Sequence, residues 1–97
     1  MLSSIVLAPK GERGSIHEST VGLEVGQKLT YSYRTGGVSK VAFNIHTHSE
    51  SSVTYYVEEE ASEGKGIFEA SASGTYYLMW ENIGPSEVEV SYSHSTT

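Results

Sequence analysis

Ninety-seven residues suit one domain and leave no room for a second core. A formal net charge of −6 excludes sequence-independent nucleic-acid binding, which needs clustered Lys and Arg, and makes an anionic membrane surface repulsive. There is no cysteine, so disulfides, thiolate chemistry and cysteine-based zinc sites are excluded.

Residues 3–8 read as a short edge strand, ended by Pro9 and the loop 10–14, so that 1–13 form an edge strand and loop. The opening apolar run, 1–9, carries no basic leader and is too short for a secretory signal. No segment reaches the roughly 18–20 apolar residues of a membrane span, so direct insertion into a bilayer is not expected. The chain is therefore either cytosolic or a soluble domain of an exported or membrane-anchored parent. Its wealth of Ser, Thr and Tyr leans toward the second.

From Gly14 a longer alternating run sets His17, Ser19, Val21, Leu23 and Val25 on one face. After the turn at Gly26-Gln27, Leu29, Tyr31 and Tyr33 alternate with Lys28, Thr30 and Ser32, the pattern of a half-buried strand. Thr35-Gly36-Gly37 turns into a strand whose faces are Val41, Phe43, Ile45 and Ala42, Asn44, His46. Residues 48–52 are a loop. Val53, Tyr55 and Val57 mark the next strand, ended by the acidic turn Glu58-Glu59-Glu60, and 61–66 read as a polar loop before the short strand 67–70.

Residues 73–92 organise the rest. Tyr76, Leu78 and Trp80 alternate with Tyr77, Met79 and Glu81, residues 82–86 break the run, and Val88, Val90 and Tyr92 resume it. This is a closing hairpin with the only tryptophan at its centre. The serine-rich end is expected to fray over 95–97.

Apolar residues nowhere recur at helical spacing. Seven or eight short strands with turns between them predict an all-β, antiparallel, two-sheet β-sandwich of jelly-roll type over 1–97. The expected inward set is Val21, Leu23, Leu29, Tyr31, Val41, Phe43, Ile45, Tyr55, Phe68, Tyr76, Leu78, Trp80, Val88 and Val90.

Gly74-Thr75-Tyr76-Tyr77-Leu78-Met79-Trp80-Glu81-Asn82, followed by Val88-Glu89-Val90-Ser91-Tyr92, resembles the last hairpin of the GOLD (Golgi dynamics) domain and its prokaryotic emp24-like relatives. The stretches 26–33 and 41–45 look like that family's earlier strand pair. The resemblance implies a β-sandwich acting as a non-catalytic module that binds other proteins. The chain lacks the disulfide, coiled coil and anchor of the family's trafficking receptors, so only the fold and the general binding role carry over.

Two functional readings follow. In the first, one ring of each pair Tyr55-Tyr56 and Tyr76-Tyr77 is core, and Tyr56 and Tyr77 join Met79 on an outer face that binds a protein partner. In the alternative, His46 and His48, two apart on a strand, point the same way and chelate zinc or copper. Glu50 is the first candidate for a further ligand, with His17, His94 and Glu81 behind it. Otherwise no cofactor is expected. Catalysis is not predicted either, because there is no Gly-x-Ser-x-Gly elbow, no phosphate loop opening a helix, and no aspartate anywhere. The glutamates at 58–60 read as a solvated turn, with a calcium site there the weaker account.

Overall fold

The computed structural model describes residues 2–97, so the expected domain start at residue 1 lies outside the described residues. The strands are β1 (Ser3–Leu7), β2 (Ile16–Leu23), β3 (Lys28–Thr35), β4 (Val41–His48), β5 (Val53–Ala61), β6 (Glu63–Glu69), β7 (Gly74–Asn82) and β8 (Val88–Thr96). They form two four-stranded sheets, β1-β8-β3-β6 and β2-β7-β4-β5. Every pairing is antiparallel. The chain is an all-β sandwich with the strand order of a jelly roll. Each connection except β4–β5 carries it from one sheet to the other.

That order corrects one expectation directly. β7 and β8 are not a hairpin. They lie in opposite sheets and face each other across the core, with the Trp80 and Tyr92 rings 4.5 Å apart. Alternation followed by a turn signal fits an arch between sheets as well as a hairpin within one. Asn82 holds this arch shut. Its side-chain amide donates to the carbonyls of Ala8 (2.9 Å) and Ser86 (2.7 Å), and its Oδ1 accepts from the Gly84 N–H (2.9 Å). One buried side chain thus ties the end of β1 to the β7–β8 turn.

The core is aromatic at its centre. Trp80 is 1% exposed and packs against Phe43 (5.2 Å), Tyr33 (6.3 Å), Tyr92 and His17 (6.1 Å). His17 is half-buried on the core side and shares a 2.9 Å hydrogen bond with the Tyr92 hydroxyl. The inward set is buried or packed against the buried cluster with one exception, Tyr55, which is half exposed. The cause is a β-bulge. Ile45 pairs with Val57 and His46 with Tyr55, so Tyr56 is an extra residue and the alternation reverses beyond it. Tyr55 therefore turns outward, and Tyr56 turns toward the rim of the core, 5.3 Å from Phe68 and 5.7 Å from Tyr76.

The expected acidic turn and polar loop are also strands. Glu58, Glu59 and Glu60 lie within β5, and only Ser62 separates β5 from β6. Glu58 and Glu60 face solvent, while Glu59 turns inward opposite Phe43. The polar sequence of β6 hides a packing role. Gly64 and Gly66 pair with Tyr33 and Tyr31, and the tyrosine rings lie over the bare backbone. A Cβ at Gly64 would stand 2.7 Å from two ring carbons and the hydroxyl oxygen of Tyr33. The ring is fully buried and cannot swing away, so Gly64→Ala is expected to cost about 1–3 kcal/mol through forced repacking, read as a lower urea midpoint. Gly22, with open space around its own Cβ position, is the matched control. The tail does not fray at 95 either: Ser95 and Thr96 pair with β3, because backbone ladder bonds are indifferent to serine side chains.

Candidate functional site

The outer face of the sheet β2-β7-β4-β5 gathers the titratable groups. Alternation in β4 sends Phe43 and Ile45 to the core and Asn44, His46 and His48 outward. β4 is a central strand, so neighbours cover its outer face, and His46 is only 3% exposed. It is not a histidine on a wet surface. Tyr77 from β7 stacks on it (5.3 Å, 11°), Tyr55 from β5 stands 5.6 Å away, and His48 meets it edge-on at 4.8 Å. The reversal at Tyr56 supplies the Tyr55 wall.

Three ligand-type atoms converge here. His46 Nε2 lies 3.1 Å from His48 Nε2 and 3.3 Å from a Glu18 carboxylate oxygen. Taken together, the ligand atoms of Glu18, His46 and His48 all lie within 4.8 Å of one another. On its other side, His46 Nδ1 is 2.6 Å from Asn44 Oδ1. That oxygen only accepts, so the ring proton sits on Nδ1 and the Nε2 lone pair points at the cluster. Burial lowers the pKa of His46; the Glu18 carboxylate opposes that shift and His48 adds to it. His46 is thus held neutral near pH 7.

The further ligands expected from sequence are elsewhere. Glu50 is in the exposed β4–β5 loop and does not join the cluster. His17 faces the core and His94 pairs with Tyr31 in the other sheet. Glu81 pairs with Ile16 and Ala42 at the far end of the face. Glu18 takes the place instead. Its outward direction is legible in β2, where Ile16, Glu18 and Thr20 alternate with His17, Ser19 and Val21. Its distance from His46 depends on the strand order, which no local pattern encodes.

The aromatic face differs likewise. Tyr77 and Met79 share the outer face and are half buried, but Tyr56 is on the core side at the edge, within 3.3 Å of the Thr47 hydroxyl. What lines the open edge of this sheet is Val53, Tyr55 and Tyr56, each 39–50% exposed, followed by Glu58 and Glu60. β5 pairs on one side only, with β4. At the inner side of the same edge the Tyr33 hydroxyl is buried with no hydrogen-bond partner among the described residues. Burial and then the charge of the inward-facing Glu59 carboxylate push its ionisation far above the usual phenol range.

No family model matches this chain, and no curated protein does. Among solved structures it is similar to PliG of Aeromonas hydrophila, a periplasmic lysozyme inhibitor of g-type lysozyme. The two superpose with a TM-score of 0.64 at 17% identity, over 100% of this chain and 83% of that one. The likeness is one of fold. Among the described residues no helix is long and apolar enough to cross a membrane.

Proposed function

We propose that this chain is a non-catalytic protein-binding module, working outside the cytoplasm, that grips a cationic protein with the free edge of β5. The observation that carries the reading is that edge. A nine-residue strand with one side unpaired is normally shortened, covered or studded with charge, because its open N–H and C=O groups invite other chains. The far half of β5 carries such protections, in the bulge at Tyr56 and in Glu58, Glu59 and Glu60, but its first half presents Val53, Tyr55 and Tyr56 to solvent. Tyrosine supplies broad, rigid contact area and is enriched where partners bind. Glu58 and Glu60 continue the edge beyond the rings, within a chain of net charge −6, which favours a partner of positive charge.

PliG supports the same reading, since a protein of similar fold is a periplasmic inhibitor of g-type lysozyme. A g-type lysozyme is accordingly the first partner to test. Expected is a saturable complex by biolayer interferometry, weakened about tenfold or more in Tyr55→Ala/Tyr56→Ala and weakened by added salt. A double variant that binds as the parent does would remove β5 from the interface. No binding to the lysozyme or to any cationic protein in an extracytoplasmic extract would end the reading.

A further inference from the structure

We propose that Glu18, His46 and His48 form a binding site for one divalent transition cation of the zinc class on the outer face of the β2-β7-β4-β5 sheet. Three independent features of the cluster point there. The first is spacing. Tetrahedral zinc with ligands at roughly 2.0–2.1 Å sets neighbouring ligand atoms about 3.3 Å apart. The 3.1 Å between the two imidazole nitrogens and the 3.3 Å between His46 and Glu18 match two edges of that tetrahedron. The exposed Glu18 side chain can swing to close the third.

The second feature is what stands behind the ligands. Metal-binding histidines nearly always donate their other ring N–H to a fixed acceptor, which sets the tautomer and the ring angle. Asn44 does this for His46 at 2.6 Å, from the same face of the same strand. His46 is also clamped between Tyr77, Tyr55 and His48, so it needs no ordering on binding.

The third is charge. The Glu18 carboxylate sets a negative charge 3.3 Å from His46 Nε2, which draws a cation to the cluster. Three protein ligands leave a fourth position open toward solvent, which water completes. The donors are two nitrogens and one oxygen, a set that suits zinc and copper and not calcium or magnesium, which take oxygen alone. The site adjoins the β5 edge through Tyr55, but zinc binding by the chain alone stands or falls independently of the partner assigned to that edge.

The test is calorimetric titration of the folded chain with Zn²⁺ at neutral pH, alongside thermal unfolding with Zn²⁺, Cu²⁺, Mg²⁺, Ca²⁺ and EDTA. Expected are one zinc per chain and a rise in Tm of roughly 10 °C at hundredfold excess over Kd, reversed by EDTA. Copper should bind at least as tightly, and magnesium and calcium should shift nothing. His48→Ala and Glu18→Gln, both at exposed positions, should keep the parent's metal-free Tm while weakening zinc about tenfold or more. Cobalt(II) in the parent should give the intense visible bands of a tetrahedral site, lost in His48→Ala. Zinc binding unchanged in both variants, equal binding of calcium, or no binding at millimolar zinc would each overturn the proposal.

Discussion

Trp80→Ala is expected to remove about 3–5 kcal/mol of stability, and Trp80→Phe distinctly less. The first change empties the centre of the sandwich, where the indole is packed by Phe43, Tyr33, Tyr92 and His17. Small domains have only about 5–15 kcal/mol in hand, so the alanine variant should melt roughly 15 °C or more below the parent. The phenylalanine variant also loses volume, but it deletes a liability. Trp80 Nε1 is buried with no hydrogen-bond partner among the described residues, and such a group costs about 1–3 kcal/mol. Removing it offsets part of the cavity. Urea unfolding of both variants separates these contributions, and a Trp80→Phe as damaging as Trp80→Ala would contradict the assignment of an unpartnered indole.

The second large effect belongs to Asn82. Asn82→Ala is expected to cost about 2–3 kcal/mol, because it empties a buried position and leaves the part-buried Gly84 N–H and the carbonyls of Ala8 and Ser86 without their partner. Asn82→Asp should be worse than alanine at neutral pH. An aspartate keeps the acceptor for Gly84 but turns the donor into a second oxygen that faces two carbonyls. Acidification should then recover part of the loss in the aspartate variant alone, as its carboxyl protonates and donates again. If aspartate proves milder than alanine, the amide orientation assigned here is wrong.

Much of the fold was legible because strand alternation is a local property. Leu29, Tyr31, Val41, Phe43, Leu78 and Trp80 could be placed inside without knowing which strand neighbours which. Three things were not local. A bulge at Tyr56 is one unpaired residue, and nothing in Val53-Thr54-Tyr55-Tyr56-Val57 marks it, so the faces of the two tyrosines were exchanged. Polar sequence was mistaken for loop at residues 58–66, although glutamates on an edge strand and glycines beneath Tyr31 and Tyr33 both belong in a sheet. The arch at residues 83–87 carries the same turn residues a hairpin would.

The site shows the same division. His46 and His48 were found by their spacing, since two residues apart on a strand means one face. Glu18 was missed because β2 reaches β4 only across β7, a relation set by the jelly-roll order. Asn44 was in view as part of the motif, but its bond to His46 needed coordinates.

The most direct test of the recognition role is a map of the bound surface. Amide shifts of the isotope-labelled chain, followed while a g-type lysozyme is added, should move first and farthest along Val53–Ala61 and at Tyr77. The opposite face, at Val6 and Ile67, should stay unmoved. Perturbations centred on Val6 and Ile67 with β5 silent would contradict the account.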